Sequence, residues 1–134
     1  MKTVLTFGVY DMLHIGHMLL FKRAKDLGDR LIVAVQDAEY VLKYKPETQM
    51  VYSTDERLYM VSTIKYVDEV VVYKNVDRDI KLIDFDILVR GEDQLHAGFQ
   101  RAFDWCAHNG KQVVMLTRTE GISSTMLREY SKTK

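Results

Sequence analysis

The chain has 134 residues, 47% of them hydrophobic, which is the size and apolar content of one domain with a single buried core and no linker. Nineteen basic residues balance nineteen acidic ones, so no diffuse field holds the protein on nucleic acid or on an anionic membrane without a local patch. The apolar run before Gly8 is too short for a signal peptide or a membrane span, and a cytoplasmic location is expected. Cys106 is the only cysteine, which excludes an internal disulfide and a thiolate metal cluster; it lies in an amphipathic stretch and reads as structural.

In chain order, Thr3–Phe7 is the first short, β-branched apolar run and predicts a strand. Ile15–Leu27 has helical spacing and ends at Gly28, and Leu31–Val35 predicts the second strand. Gln36–Tyr52 lacks clear periodicity, carries Lys43, Lys45 and the only proline, and is long for a connection in so small a domain; a mobile functional loop is expected. Ser53 with Glu56 reads as a capping box opening a helix over Thr54–Thr63. Strands at Glu69–Tyr73, Ile87–Arg90 and Gln112–Leu116 alternate with helices at Arg78–Asp84, Gly98–Asn109 and Ser124–Lys132, the last with Ser123 as its cap.

The strands are mostly apolar on both faces, as in buried parallel sheets. With right-handed crossovers they predict a single-domain α/β fold, a doubly wound, Rossmann-like sheet of five parallel strands with helices on both faces. Ligands of such sheets sit beyond the carboxyl ends of the strands.

Directly after the first strand stands Gly8-Val9-Tyr10-Asp11-Met12-Leu13-His14-Ile15-Gly16-His17, followed by a helix. Two imidazoles three residues apart at a helix start can face the same way, and the N–H groups and positive potential there favour a phosphate. Gly16 leaves room for close approach. The plainer readings are a capping residue with a core histidine, or two metal ligands; against the metal, the spacing is not His-Glu-x-x-His and no third ligand cluster accompanies it. The stretch resembles the HxGH motif of the nucleotidyltransferase superfamily, in the form seen in its cytidylyltransferase branch and in the glycerol-3-phosphate cytidylyltransferases.

Arg118-Thr119-Glu120-Gly121-Ile122-Ser123-Ser124-Thr125 is similar to a second signature of that branch. Arg118 offers a planar fork of donors, and the hydroxyls and N–H groups of Ser123, Ser124 and Thr125 form a second anion site. Arg23-Ala24-Lys25, Glu56-Arg57, Tyr66-Val67-Asp68-Glu69-Val70 and Gly91-Glu92-Asp93 also sit at family-like positions, so the resemblance covers essentially the whole chain.

The resemblance implies CMP transfer from CTP to a small phosphorylated alcohol, glycerol 3-phosphate first, with Mg²⁺ as cofactor and a homodimer as the assembly. It implies that His14 and His17 contact the α-phosphate, that Lys43 or Lys45 reaches the triphosphate, and that Arg118 holds phosphate oxygens. Phe7, Gly8, Val9, Tyr10, Asp11, Gly16, Arg57, Lys65, Gly91, Asp93, Thr119, Gly121, Ile122 and Ser123 to Thr125 complete the implied binding set, with Asp11 and Asp93 as the carboxylates for magnesium.

The sequence departs from the glycerol-phosphate pattern at Val9, where a threonine is usual, at Ile15 for an aromatic, at Lys65 for an arginine and at Gln94 for a tryptophan. Lys65 keeps the charge but loses bidentate phosphate binding. The acceptor therefore stays open among polyol and sugar phosphates feeding surface polymers, phosphocholine and phosphoethanolamine, and ATP remains an alternative nucleotide. A CTP-binding module without turnover would have lost a motif histidine or the arginine, and a nucleic-acid binder needs a basic stripe with interleaved aromatics, which His96, Arg101 and Lys111 do not form.

Overall fold

Val4, Leu5, Thr6 and Phe7 are all buried, so the first strand, β1 (Thr3–Gly8), needs neighbours on both edges and cover on both faces. The computed structural model of the chain describes residues 1–117 and supplies both. β1 pairs in parallel with β2 (Arg30–Gln36) on one side and β4 (Ile87–Arg90) on the other; β3 (Glu69–Tyr73) and β5 (Gln112–Met115) form the edges, giving the order β3-β2-β1-β4-β5. Gly8 stands opposite Val35, and Thr6 opposite Val89.

Alternation along β1 sends Leu5 and Phe7 to one face and Val4 to the other. On the first face they meet Ile80, which follows α4 (Val76–Asp79), and Phe99, Ala102 and Cys106 of α5 (Ala97–His108). On the second, Val4, Leu31, Val33, Val35 and Val89 meet Phe21 and Ala24 of α1 (Ile15–Lys25) and Val61 of α3 (Thr54–Ser62). Each large buried aliphatic or aromatic side chain contributes about 1.5–3 kcal/mol relative to exposure, and this two-sided burial fixes the doubly wound architecture. Cys106 lies inside the first layer, where burial pushes its thiol up, as befits a structural residue.

Two expectations need correction. The Gln36–Tyr52 segment contains a helix, α2 (Ala38–Tyr44), capped by the Asp37 carboxylate, which accepts from the Glu39 N–H at 2.9 Å. Only Val41 of α2 is buried, so the helix leaves almost no apolar rhythm in the sequence. The helix expected over Arg78–Asp84 is instead α4, starting at Val76, followed by a 3₁₀ turn over Ile80–Leu82. The helix expected at Ser124–Lys132 lies outside the described residues.

Candidate active site

β1 delivers the chain to the carboxyl end of the sheet, and Tyr10 turns it back. Tyr10 has φ 57, in the left-handed region, and its buried ring folds over Gly8. A Cβ on Gly8 would stand 2.4 Å from Tyr10 Cζ, so glycine is required for that packing. The Tyr10 ring meets Phe21 edge-on at 5.3 Å and His17 at 5.6 Å, which sets the position of the second imidazole. Burial raises the Tyr10 phenol well above its ordinary range, a hydrogen bond with Thr6 opposing.

His14 is the N-cap of α1, with extended backbone. Its Nδ1 accepts from the Gly16 N–H at 3.0 Å, and His17 Nδ1 accepts from the His14 N–H at 3.2 Å. This is a capping box built from two imidazoles, whose ring centroids lie 4.2 Å apart. A backbone N–H can only donate, so both Nδ1 atoms are acceptors and the neutral rings carry their protons on Nε2. Capping thus sets two N–H donors side by side at the start of a helix whose first turn holds no acidic residue.

The loop is clamped from two directions. Asp11 reaches out to accept from the Val51 and Tyr52 N–H groups at 2.8 and 2.9 Å. Arg57 reaches back from α3 and donates to the carbonyls of Val9 at 2.9 Å, Gln36 at 2.7 Å and Tyr52 at 3.3 Å, and to Thr54 Oγ1 at 3.3 Å. Its side chain is 0% exposed, and burial pulls its pKa down against the opposing fields of Asp11 and Asp37. Arg57, expected at the nucleotide, is therefore a brace joining the first loop, the end of β2 and the start of α3. Asp11, expected as a nucleotide or magnesium contact, spends both carboxylate oxygens on the backbone.

The remaining expected residues separate by position. Phe7 closes β1, packs edge-on against Tyr73 at 4.8 Å, and its carbonyl accepts from Gln94 Nε2 at 2.9 Å. Gly91 donates to Gln94 Oε1 at 3.2 Å, so Gln94, which read as a specificity difference, ties the loop after β4 to the end of β1. Gly91 also leaves room for Asp93, whose Oδ1 would stand 2.8 Å from a Cβ there, and the Asp93 side chain is exposed. Lys43 lies over the Tyr40 ring, whereas Lys45, the C-cap of α2, acts electrostatically on His96. Lys65 falls between α3 and β3, at the amino end of a sheet whose strands all run one way, so within one chain it lies at the end opposite His14 and His17. Arg118, Thr119, Gly121, Ile122, Ser123, Ser124 and Thr125 lie outside the described residues. Thr117, just before them, has its carbonyl held by Arg23 of α1 at 2.9 Å.

One residue that the sequence reading passed over is His96. It caps α5, and its Nδ1 accepts from the Gly98 N–H at 3.1 Å. The signal was present: His96-Ala97-Gly98 repeats the His14-Ile15-Gly16 pattern at a helix start.

A doubly wound sheet with paired Nε2–H imidazoles on the helix after its first strand defines an α/β domain of the nucleotidyltransferase type. The chain belongs to the cytidylyltransferase-like family, whose profile matches residues 5–130. It is 40% identical over 132 residues to the glycerol-3-phosphate cytidylyltransferase of Bacillus subtilis, a match covering 96% of each chain. It is 37% identical to the enzyme of that name from Staphylococcus aureus, over 96% of this chain and 94% of the relative. Among solved structures, a lipopolysaccharide core biosynthesis protein from Thermoplasma volcanium superposes with a TM-score of 0.71 at 25% identity, covering 89% of this chain and 97% of that one. No helix among the described residues is long and apolar enough to cross a membrane.

Proposed function

We propose that the protein transfers CMP from CTP to glycerol 3-phosphate, giving CDP-glycerol and pyrophosphate in the cytoplasm. The observation that carries this is the pair of capping imidazoles, whose fixed Nε2–H donors suit charge growing on the α-phosphate oxygens. An acceptor phosphate oxygen attacks the α-phosphorus in line, the new P–O bond forms, and the bond to the β-phosphate oxygen breaks. The acceptor is ionised near neutral pH, so no strong base is needed, and the chain mainly aligns two anions and screens their repulsion. His14 and His17 hold the transferred phosphate, Lys45 adds positive charge beside it, and Arg118 with Ser123, Ser124 and Thr125 takes the pyrophosphate oxygens.

Among the described residues no three His, Cys, Asp or Glu side chains converge on a metal. Mg²⁺ fits this chain as an ion carried by the triphosphate, with Asp93 as a protein contact, and its chemistry is to neutralise phosphate charge. A homodimer is supported by the half-exposed Met12 in the first loop, Ile15 and Met18 on α1, and Val72 on the edge strand β3.

The test is pyrophosphate release with Mg²⁺ and each of CTP, ATP, GTP and UTP against a panel of phosphorylated alcohols. Release with CTP and glycerol 3-phosphate is expected. Preference for ATP, or silence with glycerol 3-phosphate beside turnover of another acceptor, refutes the assignment.

A further inference from the structure

β1 leaves one neighbour before it leaves the other. Toward β2 its pairing runs to the last residue, with Phe7 opposite Ala34 and Gly8 opposite Val35. Toward β4 the pairing stops two residues earlier, at Thr6 opposite Val89, although β4 itself continues to Arg90, which stays paired with Met115 of β5. Two segments that are each still strand therefore separate only from one another. In the order β3-β2-β1-β4-β5 the sheet reverses its direction of growth between β1 and β4, so this gap is the crevice of the doubly wound fold.

A parallel ladder carried one step beyond Thr6 and Val89 would join the Gly91 N–H to the Phe7 carbonyl. The Gln94 side chain occupies that rung. Its Nε2 donates to the Phe7 carbonyl at 2.9 Å, and its Oε1 accepts from the Gly91 N–H at 3.2 Å. The partners fix the orientation of the amide, since a carbonyl can face only its nitrogen and an N–H only its oxygen. A tight turn delivers it: the Gln94 N–H returns to the Gly91 carbonyl at 3.5 Å, and Arg90 Nε donates to the same carbonyl at 3.4 Å while its guanidinium lies over the Phe103 ring.

Both backbone groups are thus satisfied, yet the two strands stand apart by the width of an amide instead of at ladder spacing. What lies just beyond is the first loop. Phe7 runs into Gly8, over which the Tyr10 ring folds, and that ring meets His17 at 5.6 Å. Drawing Phe7 onto β4 would carry Gly8 with it and shift the seat of the ring. We propose that Gln94 is a wedge, a positioning residue whose amide holds the ends of β1 and β4 one rung apart, keeping the crevice open for the nucleotide and fixing where the first loop leaves the sheet. It acts only through the backbone it touches. The role deepens the transferase function proposed above and rests on it.

Gln94→Ala separates a wedge from a simple tie. A tie, once removed, leaves the Gly91 N–H and the Phe7 carbonyl without partners and lowers stability; a wedge, once removed, lets the two find each other. The melting temperature is expected to stay within about 4 °C of the wild type, while kcat/KM for CTP falls about 10²-fold, the scale set by a misplacement of about 1 Å. The rung itself is read by nuclear magnetic resonance, through the scalar coupling that crosses a hydrogen bond. In the wild type the Gly91 nitrogen is expected to couple to the side-chain carbonyl carbon of Gln94, and in the variant to the carbonyl carbon of Phe7. This readout needs no substrate, so it decides the wedge whatever the turnover assay says of the transferase assignment. A fall in melting temperature beyond about 4 °C, or a Gly91 amide that exchanges freely with solvent in the variant, makes Gln94 a tie and overturns the proposal. CTP kinetics within about twofold of the wild type overturn it as well.

Discussion

Replacing Arg57 with methionine keeps a long apolar stem and removes a buried fork of donors. Three carbonyls, those of Val9, Gln36 and Tyr52, lose their guanidinium partner, whereas Thr54 Oγ1 still accepts from the Ala38 N–H at 3.0 Å. Each stranded, partly buried acceptor costs about 1–3 kcal/mol, and relief of the buried charge offsets part of the sum, so a net loss of about 3–5 kcal/mol is expected. That is a large share of the about 5–15 kcal/mol that holds a domain of this size folded. With a urea dependence of about 1–3 kcal/mol per molar, the unfolding midpoint should fall by roughly 1–5 M. Arg57→Lys restores the charge without the fork and should recover less than half of the loss. The decisive comparison is urea unfolding against steady-state kinetics. A stability loss below about 1 kcal/mol together with a tenfold rise in the KM for CTP would show that the guanidinium serves the nucleotide, and the brace would be wrong.

His17→Ala removes one transition-state donor and one arm of the capping box; kcat should fall ~10²–10³ while the protein stays folded, and turnover near the wild-type rate refutes the role. Gly8→Ala places a methyl 2.4 Å from Tyr10 Cζ, so the ring must leave its seat beside His17; a loss of about 1–3 kcal/mol in stability and a clear drop in kcat are expected, against which unchanged kinetics would count. Tyr10 and Tyr73 are buried with phenol pKa values raised by burial above the ordinary range, so the unfolded chain ionises first as pH rises. Their contribution is complete below about pH 10 and is lost above it, by up to about 1.4 kcal/mol per pH unit for each phenol, and urea midpoints measured from pH 8 to 11.5 should fall accordingly. Ordinary phenol titration in the folded protein, followed by ultraviolet absorbance, would contradict this.

Strands buried on both faces announce themselves, and β3 and β4 fall where their β-branched runs predict. α2 was illegible because a helix with one buried residue has no apolar period to detect. The first loop was legible as a helix start bearing two imidazoles, and the capping role open to His14 in the sequence is the one its Nδ1 plays. Its supports were not. Ser53 and Glu56 form the capping box expected of them at 3.1 and 2.9 Å, but nothing local says that the next residue, Arg57, turns inward to meet carbonyls from two other segments. Lys65 matched a motif position, yet a motif does not say which end of a sheet it occupies; parallel topology does. His96 was hidden for the opposite reason: its pattern was visible, but only the pairing of β4 with β1 brings it beside the first loop.

The grip of Asp11 on the Val51 and Tyr52 N–H groups makes those two hydrogens a gauge of the first loop. Neither amide is protected by a helix or strand ladder, so exchange with deuterated solvent waits for the carboxylate to let go. Their exchange rates time the excursions of the segment bearing His14 and His17, read from a turn on another part of the chain and without any label placed in the catalytic centre.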